Sequence, residues 1–196
     1  MRIEATAGNE HKVWLTDGEI EDLRRATASQ RDDIIIQLGA FVGLRAFEIP
    51  QVCPQDVSES ASRQYRLRVQ SDKDTSGGGG KPRDTYLPTS VERDLQRFQN
   101  EHSIAPKDPY IELSQPGVRA VVRRTAARVA EATGDDDFRK VSTHDLHRRF
   151  AQRLLVDQQM TPRVVVGRWD SFAAIEPYLN APSEDVINDA FAEVSL

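Results

Sequence analysis

The chain has 196 residues, 38% of them apolar and 29% charged, the profile of one soluble globular domain with a core of its own. It contains no apolar run of 18 residues and no signal-peptide pattern, so neither a membrane association nor export is expected. Cys53 is the single cysteine, which excludes a disulfide framework and a cysteine zinc site and makes a reducing cytoplasm the default, while the net charge of −5 argues weakly against nucleic acid.

The predicted elements are mostly helices. "LTDGEIEDLRRATAS" opens with a capping box, Thr16 with Glu19, and keeps Ile20, Leu23 and Ala26 on one face. "RDDIIIQLGAFVG" is apolar enough for a buried helix that Gly43 would cap, and "GLRAFEIPQV" follows at once, with Arg45 at the junction and Pro50 disturbing what comes next. The period then changes. In "RQYRLRVQ" Tyr65, Leu67 and Val69 alternate with Arg66 and Arg68, as in a half-buried strand, and "SDKDTSGGGGKPRDTYLP" reads as a hairpin with a long glycine-rich tip.

Helices resume at "TSVERDLQRFQ", where Thr89 and Glu92 suggest a second capping box, and at "SQPGVRAVVRRTAARVAEATG", with Pro116 near the first turn. The acidic run Asp135 to Asp137 reads as a solvated loop. "STHDLHRRFAQRLL" predicts a helix capped by Ser142 or Thr143, with Leu146, Phe150, Leu154 and Leu155 inward. "MTPRVVVGRW" and "SFAAIEPYL" suggest short helices, and "PSEDVINDAF" a last one capped by Ser183.

Charge is unevenly spread along these elements. Residues 1–60 hold eleven acids against six Lys/Arg, whereas residues 63–83 hold six bases against two acids and residues 115–153 nine against five. A basic face on an acidic body can still bind phosphate, because screening makes local charge count for more than the total.

His144 and His147 stand three apart, and spacing alone would turn both rings the same way. Three readings are open: a surface histidine pair, a metal site that lacks a third ligand at a useful spacing, or an anion site helped by Thr143 and the free N–H groups of a helix N-terminus.

Three stretches favour the anion. "GLRAFEI" resembles the first catalytic-arginine motif of the tyrosine recombinase (phage integrase) family, and "THDLHRRFA" resembles its His-x-x-Arg box. "GRWDSFAAIEPYL" resembles its closing box, in which His or Trp precedes the nucleophilic tyrosine by nine residues, the separation of Trp169 and Tyr178. The order of arginine, lysine hairpin, histidine box, tryptophan and tyrosine also matches, over roughly residues 14–192, and "AIEPYLNAP" looks like integrases of halophilic archaea.

The resemblance implies a mainly α fold with a small antiparallel β-hairpin or sheet, the DNA breaking-rejoining fold, and a site-specific recombinase that works through a 3′-phosphotyrosine. It implies Tyr178 as nucleophile, Arg45 as a clamp on the scissile phosphate, His144 as acid/base and Trp169 as an indole N–H donor to that phosphate. The hairpin lysine would be Lys73, with Lys81 the rival across the glycine tip, and Arg148 and Arg149 are candidates for DNA phosphate. No metal and no cofactor are implied. The partners are double-stranded DNA and further copies of the chain, as a dimer or tetramer on DNA. Structural alternatives exist for three of these side chains: a core tyrosine, an Arg45–Glu48 ion pair and a packing tryptophan.

One position departs from the pattern. His147 stands where the family has its second arginine, and an imidazole cannot fork onto phosphate as a guanidinium does. The alternative reading is therefore a catalytically impaired DNA-binding relative that regulates or assists recombination. By domain, residues 1–13 are expected to be an N-terminal extension, residues 14–182 the catalytic domain, and residues 183–196 a C-terminal helix able to pass to a neighbouring protomer. The short stretch before the first helix further suggests a minimal integrase or a catalytic fragment without the usual N-terminal clamp domain.

Overall fold

Three of the described helices start at short polar side chains that satisfy the first free N–H groups. At α1 (Asp17–Arg25) Thr16 Oγ1 accepts from the Glu19 N–H at 3.3 Å while Glu19 Oε2 accepts from the Thr16 N–H at 2.8 Å, so the expected capping box is present. Ser29 caps α2 (Gln30–Ala40) and Ser114 caps α4 (Gln115–Thr133), which Gly134 closes in the left-handed conformation. The computed structural model describes residues 1–5, 11–61, 63–70 and 82–157.

Two small antiparallel sheets accompany the helices. β1 (Arg2–Ala5) pairs with β2 (His11–Trp14), Ile3 opposite Val13. β3 (Val57–Glu59), β4 (Tyr65–Val69) and β5 (Arg83–Leu87) form the second sheet in that order, with Val69 opposite Arg83. The strand read from the Tyr65–Val69 alternation is thus β4, with Leu67 and Val69 buried and Arg66 and Arg68 exposed. Neither β3 nor the β1–β2 hairpin was expected, and residues 1–13, expected as an extension, supply most of that hairpin. α3 (Thr89–His102) and α5 (Thr143–Gln152) complete the described helices.

Two local expectations fail. Thr89 is the first residue of α3, not its cap: Pro88 holds the cap position and no side chain caps it, because a proline with fixed φ starts the helix one residue early. Asp135 to Asp137 are not a loop. The Asp135 side chain accepts from the Asp137 N–H at 3.0 Å and begins a 3-10 turn over Asp136–Lys140, which places Phe138 in the core.

The chain divides into two compact units, Met1–Arg149 and Phe150–Leu196. Among the described residues the first has an apolar cluster built from Val13 of β2, α1 to α4, strands β4 and β5, and Leu146 of α5. α2 sits in its middle with Ile34, Ile35, Ile36 and Leu38 all but fully buried, which accounts for its apolar character all round. Of the second unit the described part is the end of α5 and a wide π-type turn, Arg153–Asp157, where Phe150 is buried and Leu154 and Leu155 are half-buried. No described helix is long and apolar enough to cross a membrane.

Gly39 lets α5 approach α2. A Cβ there would lie 3.1 Å from Leu146 Cβ and 3.0 Å from its Cδ1, and the first of these atoms cannot swing away. Gly39→Ala gains about 1 kcal/mol of helix propensity but meets an overpacking cost of about 1–3 kcal/mol. A lower urea midpoint is expected, and a higher one would show that α5 yields freely.

Candidate nucleic-acid site

The loop after α2 carries Arg45 and is pinned from three elements. Phe41, not the expected Gly43, holds the cap position after Ala40; Gly43 takes φ +68°, a conformation that favours glycine, and the Leu44 N–H returns to the Leu38 carbonyl at 2.9 Å. From β5, Thr85 Oγ1 donates to the Val42 carbonyl at 3.2 Å. From α5, His147 Nδ1–H donates to the Gly43 carbonyl at 2.7 Å. Arg45 therefore leaves a backbone with little freedom to move.

The Arg45–Glu48 ion pair weighed from sequence is not formed. Glu48, 1% exposed, uses one carboxylate oxygen on the Arg45 backbone N–H at 2.7 Å and the other on Arg83 Nη2 at 2.6 Å. Among the described residues the half-buried Arg45 guanidinium has no acidic partner within ion-pair distance. An arginine on a pinned backbone, with no acidic partner among the described residues, is suited to take an anion.

His144 lies within reach of the Arg45 charge. Desolvation first, then the positive charges of Arg148, Arg45 and Arg119, push its imidazole below the usual histidine range against the opposing pull of Asp145. An exposed imidazole of this kind is neutral at neutral pH and can take up a proton. Arg119 stands on α4 one turn before Arg123, and both are exposed. Sequence reading missed Arg119; its signal was an i,i+4 arginine pair on the outer face of an amphipathic helix.

His144 and His147 do not share a surface as their spacing suggested. Their ring centroids are 6.4 Å apart with planes tilted by 48°, and His147 is buried with its Nδ1 committed to backbone. Among the described residues no group of three or more His, Cys, Asp or Glu side chains is arranged to hold a metal ion.

The two arginines read as phosphate candidates turn inward. Arg148 pairs with Asp145, donates to the Val13 carbonyl at 3.3 Å and lies 5.4 Å from the Trp14 ring centroid. Arg149 bonds Asp17 of α1 at 2.9 Å. Both are less than a tenth exposed, Arg148 held by Asp145 and Val13 and Arg149 by Asp17. Lys73, Lys81, Trp169 and Tyr178 lie outside the described residues, as do the short helices expected after residue 160 and the tail 183–196.

Similarity to solved structures follows this geometry. The XerA recombinase matches with a TM-score of 0.67 at 21% identity, over 92% of this chain and 64% of its own. The XerH site-specific recombinase bound to palindromic difH substrate gives 0.65 at 19%, over 94% and 53%. The fold is that of a tyrosine recombinase catalytic domain. The Tn1549 transposon integrase in complex with transposon right-end DNA gives 0.62 at 17% identity, over 96% and 68%. The chain thus spans about half to two thirds of the length of these structures, and no family model and no curated protein matches its sequence.

Proposed function

We propose that the protein is a site-specific DNA recombinase or integrase that cuts and rejoins strands through a 3′-phosphotyrosine. The observation that carries the reading is Arg45: a guanidinium held by a loop pinned to α2, β5 and α5, without an acidic partner among the described residues, beside a neutral exposed His144 and the Arg119 charge. Nearby structures that include recombinases bound to their DNA substrates support it at the level of fold.

In this reading the Tyr178 phenol oxygen attacks phosphorus and the bond to the 5′-oxygen breaks. The phenol proton passes to His144 and the leaving oxygen takes a proton from Lys73, with Lys81 the alternative donor. Arg45 and the Trp169 indole N–H bind the non-bridging oxygens, where negative charge builds. Attack by another 5′-hydroxyl reverses the steps and seals the strand.

Two of the other tyrosines are poorer candidates. Burial, the largest effect, with nearby acids pushes the Tyr110 phenol up to about 12. Glu92 and Glu59 raise that of Tyr65 and would repel a phosphate. Tyr86, half exposed on β5 opposite Arg66, is the most exposed rival among the described tyrosines. Trapping on a nicked suicide duplex in the presence of EDTA tests the reading, which requires a protein–DNA adduct that survives denaturant.

The second reading, an impaired DNA-binding relative, is favoured by His147. With its Nδ1–H on the Gly43 carbonyl, the imidazole helps to hold the Arg45 loop. An arginine at this position can keep a donor on that carbonyl and still present further N–H groups to phosphate. His147→Arg is expected to raise single-turnover cleavage by roughly ten-fold, the worth of one charge-assisted contact. A slower variant would show that the imidazole itself is needed.

Self-association on DNA belongs to the same proposal. The tail "PSEDVINDAFAEV" sets Val186, Ile187, Ala190 and Phe191 on one stripe at helical spacing, with acids elsewhere. Deleting residues 183–196 is expected to leave a folded protein that binds a single site but sediments as a smaller complex on two-site DNA. An insoluble deletion would assign the tail to its own core.

A further inference from the structure

We propose that Asp145 is a positioning residue that ties the N-terminal hairpin to the helix turn bearing His144. The proposal rests on the reading of His144 as the proton acceptor. Asp145 is 1% exposed, and each of its oxygens is engaged. Oδ2 accepts from the Ser142 N–H at 2.8 Å and from Ser142 Oγ at 2.6 Å, which closes the first turn of α5. Oδ1 accepts from the Val13 N–H at 3.0 Å and pairs with Arg148. A carboxylate taking donors from two segments 132 residues apart is more than a helix cap.

Arg148 completes the link. Its Nη1 bonds both Asp145 and the Val13 carbonyl, so Val13 is held through its N–H and its C=O alike. The next residue, Trp14, lies between two cations, with the Arg148 and Arg2 guanidiniums 5.4 and 5.1 Å from its ring centroid. Strand β2, and β1 through it, thereby grips α5 at the residue after His144. The hairpin is part of the support of the site.

The pair also sets the charge around the imidazole. The groups acting on His144 are Asp145 and Arg148 on its own helix, Arg45 after α2, and Arg119 on α4. Three are cations, and Asp145 is the single acid among them. Removing it should make the imidazole harder to protonate and free the turn on which it stands.

The test uses the full chain with Asp145→Asn, whose amide has one acceptor oxygen and sets N–H groups against donors. The His144 titration, followed by NMR at the imidazole Cε1–H, should fall by roughly half a unit or more. Cleavage of the trapped duplex should drop roughly ten-fold or more with DNA affinity nearly unchanged, and the acid limb of its pH profile should move with the titration. Arg148→Gln is the second variant, for the case that Asp145→Asn does not fold. It removes one of the opposing cations, so the His144 midpoint should rise. A midpoint that stays put in the folded variants overturns the proposal, even if their melting temperatures fall. The titration needs no DNA, so absence of an adduct in the wild-type protein would refute the recombinase reading and leave this coupling to be judged by itself.

Discussion

Tyr178→Phe is expected to abolish the covalent adduct while the protein still binds its DNA. The substitution removes one oxygen, the atom that would form the bond to phosphorus, and keeps the aromatic ring. Two of the other tyrosines are poor substitutes: Tyr110 is buried, and Glu92 and Glu59 raise the Tyr65 phenol. Loss of the adduct with an unchanged gel shift is the predicted pair of results. An adduct that persists in Tyr178→Phe would remove Tyr178 from the mechanism and turn attention to Tyr86, exposed on β5.

Arg45→Ala should be the next most damaging change. Its guanidinium is held by a backbone tied to Leu38, Thr85 and His147, so its contact with a phosphate would need no reorganisation. Removing one such preorganised donor typically costs about 10²–10³ in rate. Single-turnover cleavage should fall by that order, with a far smaller effect on DNA affinity, which is spread over many contacts. Because Glu48 bonds the Arg45 backbone N–H and Arg83, the substitution should not unfold the loop. Arg45→Lys should recover part of the loss, since an ammonium keeps the charge without the fork. A full rate in Arg45→Ala would mean that the guanidinium faces something other than the scissile phosphate.

Much of the helical framework could be read from the chain because its signals are local. The Thr16–Glu19 box and the alternation of β4 need only a few consecutive residues, and both hold. The left-handed Gly43 is likewise local, as the chain must turn there to bring Arg45 back. The β1–β2 hairpin was not legible. Its four-residue strands carry a weak pattern, and they are held in part by Asp145 and Arg148, more than 130 residues away.

The site shows the same division. Arg45 and His144 entered the candidate site through their motifs, and helical spacing placed His147 beside His144. Spacing cannot tell that the His147 ring turns inward to a carbonyl, nor that Arg148 and Arg149 are already committed to Asp145 and Asp17. Those outcomes depend on which face of α5 meets the body, where Leu146 comes close to Gly39 of α2. A charged residue near an active-site motif becomes a candidate ligand only once its partners are known.

The most direct measurement is the chemical identity of the adduct. The wild-type protein, trapped on a nicked duplex in EDTA, digested with nuclease and protease and examined by mass spectrometry, should yield one peptide carrying a 3′-phosphonucleotide on Tyr178. The same modification on Tyr65, Tyr86 or Tyr110, or no modified peptide while the duplex is bound, would contradict the account.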